Sequence, residues 1–503
     1  MNGRFLAMTA LAASLLGAAP AGHQWPKATA AKLPRWRGFN LLEKFTRGRG
    51  NQRFKEEDFK IIAELGFNFV RLPMDYRLWI VDKDWDRFNE GVLKEIDEAV
   101  ELGGKYGIHV SINFHRGPGY CVNGARDPEP LSLWNDAEAR RAFANHWRVF
   151  AKRYRGIPNE RLSFNLLNEP GRVESKDYLR VITPAVEAIR AEDPARLIIS
   201  DTIFSIDEHE LAAGLKKLGV AFSPHQYWPS GITHYRASWV DRTSSFPPPV
   251  WPTPVASGRL YSPAKPGVPH GPLTLAGPFP EATKLRLHLH QVSNKATLVV
   301  KADDQPVWTR EYVCGPGEGE WTKVIHAKKW DMYQNIYDKD YTIDIPAGTR
   351  QIQVEMAAGD WLILSELGVT PEGQKEVSQA LNGEWGVLPA TLAFTPDGPI
   401  QSTRQHDGNE LWEKRIGVWD GFRRAGIGAM VGEFGVFNKT PHAVSLAWLE
   451  DNLKQLKKAN LGWALWNLRG GFGILDSGRK DVEYEDFQGH QLDRKMLELL
   501  QQY

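Results

Sequence analysis

The sequence predicts a (β/α)8 TIM barrel with an all-β sandwich set into it. Three observations carry that reading. Short apolar runs alternate with segments of helical spacing from Trp36 to about residue 228, and the alternation resumes near residue 409. The stretch between keeps a period of two, punctuated by turn residues. Strict alternation implies right-handed crossovers and a parallel sheet, and about eight strand–helix units are a barrel's complement.

In chain order, Trp36-Arg-Gly-Phe-Asn-Leu41 is the first strand. Phe59, Ile62 and Leu65 share a helical face that Gly66 closes. Residues 67–72 form the second strand, and Pro73, with no N–H to extend a ladder, should stop it. Val92, Leu93, Ile96 and Val100 mark the next helix, followed by a strand at 108–114. A helix over 136–154 leads to the fourth strand, 162–167, which breaks off at Asn168-Glu169-Pro170. A helix at 175–191, a strand at 197–200, another helix and a strand at 220–223 bring the count to six. Past the interruption, a helix at 409–424, strands at 427–431 and 461–465 with a helix at 441–458 between them, and a last helix at 492–500 complete the set.

The interruption has two parts. Residues 236–271 are rich in Pro, Ser and Trp and read as a linker. Residues 272–371 hold period-two runs at 284–290, 296–300, 341–345, 351–355 and 361–365, a jelly-roll-like sandwich lodged in the sixth βα loop. The predicted organisation is a signal peptide at 1–21, a tail at 22–34, barrel at 35–235, linker, sandwich, and the barrel remainder at 372–503. The signal peptide rests on Arg4, an apolar run at 5–17 and the small residues Ala19-Pro-Ala21. That run is too short to span a bilayer and no later segment is long enough. The expectation is a secreted or periplasmic protein with no membrane association once the leader is removed.

Composition sets further bounds. With 42% hydrophobic and 24% charged residues and a formal net charge of +1, the chain is globular and offers nothing for nucleic acid. Its 19 Trp suit stacking on sugar rings and suit ordinary cores equally. Cys121 and Cys314 are too few for a disulfide scaffold and are read as free thiols.

Parallel strands end on one rim, where barrels keep their chemistry. The strand ends here carry Asn40, Arg71, His115, Asn168 with Glu169, His225 with Tyr227, Glu433 and Trp466, a bias toward groups that donate, accept or stack. A single Glu after a strand is as well explained by solvation. Two, Glu169 and Glu433, facing each other across the mouth are what cleavage of a glycosidic bond requires: one protonates the leaving oxygen, the other attacks the anomeric carbon or activates water. A separation of about 5–5.5 Å would mean retention of configuration.

Arg37-Gly-Phe-Asn40, Val70-Arg-Leu-Pro73, Asn113-Phe-His115, Leu167-Asn-Glu-Pro170, His225-Gln-Tyr227, Gly432-Glu-Phe-Gly435 and Ala464-Leu-Trp466 together resemble glycoside hydrolase family 5. The resemblance implies a cellulase-like, retaining β-glycosidase, with Glu169 as general acid/base and Glu433 as nucleophile. In that frame Arg71 would lower the pKa of Glu433, Tyr227 would donate to the same carboxylate, and Asn168 would bond the sugar 2-OH. His115 and His225 would line the sugar subsite, Trp466 would be its floor, and Asn40 and Tyr120 are further expected contacts. Turn formation alone accounts for the third loop, 116–123, as well as substrate contact through Tyr120, Cys121 and Asn123 does. Arg469 and Asp476 either contact sugar or pair with protein charges.

The expected activity is endo-β-1,4-glucanase on a β-linked oligo- or polysaccharide, with no cofactor and no metal. An exo-acting β-glucosidase or exo-glucanase and a β-mannanase are its rivals, and a sugar-binding protein on a barrel scaffold is the non-enzymatic one. The sandwich resembles carbohydrate-binding modules only in outline, and a structural or oligomer-forming insert explains it as well. Oligomeric state is open. No Gly-x-Ser-x-Gly elbow, His-Glu-x-x-His helix or P-loop occurs. Asn438-Lys-Thr440 matches a glycosylation acceptor, a pattern that recurs by chance.

Overall fold

The structure is a computed structural model that describes residues 22–503 apart from 125–126, 172, 204–207, 241–247, 329 and 396–397. The predicted signal peptide lies outside the described residues. Two compact units divide the chain: one reaches Trp251 and resumes over Gly408–Tyr503, the other is Pro252–Asp407.

The first unit is the barrel. Its parallel strands are β1 (Arg37–Asn40), β2 (Phe69–Asp75), β3 (His109–Gly117), β4 (Leu162–Asn165), β5 (Ile198–Asp201), β6 in two pieces (Ala221–Ser223 and His225–Gln226), β7 (Met430–Phe434) and β8 (Gly462–Leu465). Each pairs with the next, and β8 returns to β1. The first piece of β6 lies on β5 and the second on β7, so the break between them falls at Pro224, which lacks the N–H that a continuous ladder needs.

Among the described residues, the helical segments that cover the outside are α1 (Glu56–Glu64), α2 (Glu90–Tyr106), α3 (Ala137–Arg153), α4 (Ser175–Glu192), α5 (Glu208–Leu218), α6 (Gly408–Leu411, Trp412–Ile416 and Gly417–Arg424 in succession), α7 (His442–Lys458) and α8 (Arg494–Gln502). In α2, the Asn89 side chain caps the N–H groups of Gly91 and Val92, and Gly107 ends the helix at φ 69°, a conformation that costs glycine little. Its Val92, Leu93, Ile96 and Val100 face the sheet, each contributing about 1.5–3 kcal/mol by burial.

Three expectations change. Pro73 does not end the second strand, which runs on to Asp75. The Arg71 carbonyl and Asp75 N–H both point toward the β1 side, so the N–H that Pro73 lacks would point there too, and β1 has already ended at Asn40. The fourth strand ends at Asn165, short of the proline, although Leu166 N–H and Asn168 N–H still bond the neighbouring strands. The predicted tail is not free: Ala28, Leu33 and Trp36 are buried with Phe69, Met430 and Ala464 as a plug at the strand starts. Part of the tryptophan excess goes to packing, with Trp36, Trp79, Trp147, Trp419, Trp448 and Trp463 all fully buried, whereas Trp239, Trp330 and Trp385 are exposed.

The second unit is all-β. Thr283–Ala302 and Thr349–Pro371 pair antiparallel along most of their length. Register shifts around 289–296 divide the pair, and the two halves of Thr283–Ala302 take different outer neighbours, Ile336–Ile345 and Gln305–Val313. Leu285, Leu287, Leu298, Val300, Ile343 and Val354 from both halves share one core, which makes this a sandwich. The unit exceeds the predicted 272–371. Arg259–Tyr261, read as linker, and Val377–Ala380, Leu392–Ala393 and Gln401–Ser402, read as barrel, all join its sheet. Strands of two to four residues are too short to show a period.

Candidate active site

The site is organised by Arg71 on β2, which is 1% exposed. Its Nε donates to Asn165 Oδ1 at 2.7 Å, Nη1 to Asn40 Oδ1 at 3.1 Å and Glu433 Oε1 at 2.6 Å, and Nη2 to Asn168 Oδ1 at 2.9 Å and Asp201 Oδ2 at 3.0 Å. A guanidinium has five N–H donors, and here each has a protein acceptor. Asn40 in turn donates from Nδ2 to the carbonyls of Gly432 and Leu465 at 3.0 and 3.3 Å. Arg71 and Asn40, expected to touch substrate, are therefore turned inward. They orient the carboxylates because burial obliges every donor to find a protein acceptor.

Glu433 lies within β7, not beyond its end, and is 4% exposed. Its Oε2 accepts from Tyr227 Oη at 3.1 Å and lies 3.5 Å from His225 Nδ1. Burial pushes its carboxyl up, His225 and Arg71 pull it back, and the net direction is upward. Arg71 has the lowering effect expected of it, but burial is larger.

Glu169 follows β4 with φ 40°, a left-handed conformation seldom held by a residue with a side chain. Neighbours hold it there: its N–H donates to Asp201 Oδ2 at 3.3 Å, and its carbonyl accepts from Tyr120 Oη at 2.6 Å. The side chain reaches His225, Oε1 to Nδ1 at 2.9 Å. Tyr120 thus braces the Glu169 backbone from a short hairpin in which Tyr120–Cys121 folds back on β3. That loop also borders a cavity of about 350 Å³ whose lining includes Tyr120, Cys121, Leu131 and Trp134.

His225 joins the carboxylates. Its Nε2 approaches Asp201 Oδ2 at 3.1 Å, an ion-pair contact less well aligned than a hydrogen bond, and Nδ1 faces both glutamates. Burial alone would lower its pKa, but Glu433 and Asp201 outweigh burial and push it up to about 10, so the ring is an imidazolium. Glu169, His225 and Glu433 each have one atom within 4.8 Å of the others, a metal-like spacing. Within that group His225 Nδ1 lies 2.9 Å from Glu169 Oε1, a hydrogen-bond distance.

His115, 6% exposed, has neither ring nitrogen on a protein partner, and burial with Arg71 and His225 nearby holds its pKa well below the usual range. Its ring stacks on Trp466 at 5.7 Å, with Phe45 at 4.4 Å on it and 5.5 Å from Trp466. Asn168 also keeps Nδ2 without a protein partner. His115, Asn168, Trp466 and the carboxylates therefore gather at one mouth, with polar atoms to spare.

Two members were missed. Asn165 accepts from Arg71 and from Asn113 Nδ2 at 2.8 Å, and donates to Asp201 Oδ1 at 2.8 Å, all inside the barrel. Asp201 is the last residue of β5 and fully buried. The predicted fifth strand ends at Ser200, one residue short, so Asp201 carries no strand-end signal in the sequence. Burial would raise Asp201, but His225 and Arg71 hold it well below the usual carboxylate range. Elsewhere, Arg469 pairs with Glu57 at 3.1 Å and with Asp58, Asp476 accepts from Gln491 N at 3.0 Å, and Cys121 and Cys314 are free. Asn438 Nδ2 is engaged with the Ser477 carbonyl at 2.6 Å.

Known proteins resemble this chain in sequence and fold. The sequence model of the family described as "Cellulase (glycosyl hydrolase family 5)" matches residues 27–247. A solved structure titled "Crystal Structure of a glycoside hydrolase" is 26% identical, covers 93% of this chain and 99% of its own, and superposes with a TM-score of 0.59. Over residues 27–247 the chain is similar to glycoside hydrolase family 5. Among similar proteins, "Endoglucanase C" of Acetivibrio thermocellus is 31% identical over 193 residues, 38% of this chain and 55% of that protein. "Cellodextrinase A" of Ruminococcus flavefaciens is 28% identical over 201 residues, 39% and 57% of the two chains. The chain thus spans about half the length of the curated relatives it matches. The family-5 match ends at residue 247, so Glu433 and Trp466 join the site through the closed barrel and not through the matched stretch. Among the described residues, no helix is long and apolar enough to cross a membrane.

Proposed function

We propose that this protein is a retaining β-glycoside hydrolase acting on β-linked glucan, and specifically an endo-β-1,4-glucanase, with Glu433 as nucleophile and Glu169 as acid/base. The observation that carries the reading is the spacing of the two carboxylates, an oxygen of each within 4.8 Å of the other and both facing one imidazolium. Double displacement needs carboxyls about 5–5.5 Å apart, whereas inversion needs about 6.5–9.5 Å to admit water. In the first step Glu169 gives its proton to the leaving oxygen as the glycosidic C–O bond breaks and Glu433 bonds the anomeric carbon. In the second, Glu169 takes a proton from the water that attacks that carbon and releases Glu433. The unpartnered Asn168 Nδ2 suits the sugar 2-OH, and the exposed part of Trp466 suits an apolar sugar face.

The choice of β-1,4-glucan rests on the relatives named as endoglucanases, and the one named as a cellodextrinase favours short oligosaccharides as a second reading. Export is part of the proposal, on the strength of the leader-like residues 1–21.

The test is Glu433→Ala assayed on aryl β-glycosides, β-glucans and mannans. Hydrolysis should fall by roughly 10⁴-fold or more, as it does when a covalent nucleophile is removed. Azide should restore turnover and yield a glycosyl azide of inverted configuration. Undiminished activity in the variant would overturn the assignment.

A further inference from the structure

Resting on the reading of Glu433 as nucleophile and Glu169 as acid/base, we propose that Trp239, in the segment after β6, is the platform for a second sugar ring. The site then takes β-linked oligosaccharides in preference to single glycosides.

Among the described residues, Trp239 is the one exposed tryptophan of the barrel unit, with 47% of its surface accessible. An indole left open to water forgoes hydrophobic burial, so what holds it open decides its meaning. Phe437, in the turn after β7, meets it in a T-shaped contact at 4.7 Å, and Phe472, in the loop after β8, lies 6.2 Å away. His234 completes the support at 6.3 Å. Segments that follow three successive strands thus fix one ring and leave about half of it uncovered. A Cβ on Gly471 would come within 2.9 Å of the Phe437 ring, so the glycine belongs to that support. A side chain already held in place loses little freedom when a ligand stacks on it, which favours binding.

The same cluster leads back to the carboxylates. Phe472 also lies 6.2 Å from Tyr227, whose Oη donates to Glu433 at 3.1 Å, and His234 lies 5.0 Å from Tyr227. Trp466 serves the ring that Glu433 attacks, and Trp239, two ring contacts beyond Tyr227, is placed for its neighbour. His234 adds a polar group beside the platform. The Thr233 hydroxyl donates to the Tyr227 carbonyl at 2.5 Å, so it accepts from His234 Nδ1 at 2.9 Å. Burial pushes the His234 pKa down to about 4, against an upward pull from the Glu169 charge, so the ring is neutral and Nε2 keeps a lone pair. An apolar face beside a hydrogen-bond acceptor suits a pyranose, which has apolar faces and a rim of hydroxyls.

The test compares wild type and Trp239→Ala on cello-oligosaccharides of increasing length and on β-glucosyl fluoride, whose single ring and one-atom leaving group need only the Trp466 subsite. Wild-type KM should fall as the chain lengthens. In the variant that gain should flatten, with kcat/KM on the longer chains lower by about 10-fold or more. The loss on the fluoride should be clearly smaller. Trp239→Phe, which keeps a smaller ring, should show the same pattern at reduced size, and it decides the matter should the alanine variant not fold. An equal loss on every substrate would mark a structural role, and undiminished kcat/KM on long chains would leave the indole without a sugar; either result overturns the proposal. Wild-type protein inert on all of these substrates would instead remove the hydrolase reading beneath it.

Discussion

At the scale of single residues, Arg71 shows how a buried cation is kept. Its five donors are matched by five acceptors drawn from β1, β4, β5, β7 and the turn after β4. Lysine carries the same charge with three donors and no planar fork. Arg71→Lys should leave acceptors unpaired, lower stability by about 3–5 kcal/mol in urea denaturation, and reduce kcat by about 10²-fold or more. Because Arg71 has no donor left for substrate, KM should change little, and a defect confined to KM would contradict the inward orientation. The sequence names Arg71, His115, Asn168, Glu169, His225, Tyr227 and Glu433 because each follows or ends an apolar run. Which of them face the mouth is not legible that way. Arg71 and Asn40 share the strand-end signal with His115 yet turn to protein, since orientation depends on acceptors brought by distant strands.

At the scale of elements, the barrel depends on close approach where its strands meet. A Cβ on Gly38 would lie 1.7 Å from the Phe69 carbonyl oxygen, backbone that has no room to yield without parting β1 from β2. Gly38→Ala should therefore cost about 3 kcal/mol or more, near the upper end for overpacking, with reduced activity because Asn40 and Arg71 sit two residues further along those strands. Gly421 in α6 has open space around the same added atom, and Gly421→Ala should stabilise by about 0.4–1 kcal/mol. Chemical denaturation of the two variants side by side checks both, and equal effects would mean that strand proximity is not what requires glycine at position 38. Pro73 carries the same lesson. A proline rule read from sequence treats both edges of a strand alike, but in the barrel only the side facing the spent β1 loses a donor.

At the scale of the whole molecule, buried histidines make stability depend on pH from both sides. Burial lowers His109 to about 3 and His146 to about 4, against about 6.5 in an unfolded chain. A folded-state pKa below the unfolded one contributes stability that is present above pH 6.5 or so and is lost as pH falls toward those lower values. His225, raised to about 10, does the reverse: its contribution is complete below about 6.5 and is lost as pH rises through 10. Thermal unfolding followed across pH should show a plateau near neutrality with a decline on each side. In His225→Gln the alkaline decline between about 6.5 and 10 should shrink while the acid one stays, and a wild-type Tm flat from neutrality to pH 10 would contradict the imidazolium. The sequence by itself determined the order of strands and helices, the place of the all-β insertion and the two glutamates, because periodicity, turn residues and strand ends are local properties. Only the tertiary structure decided that residues 28–36 plug the barrel, that the sandwich reaches from Pro252 to Asp407, and that Asp201 stands between Arg71 and His225. Those outcomes depend on which atoms meet when the sheet closes on itself and water is excluded, and no stretch of chain contains that information alone.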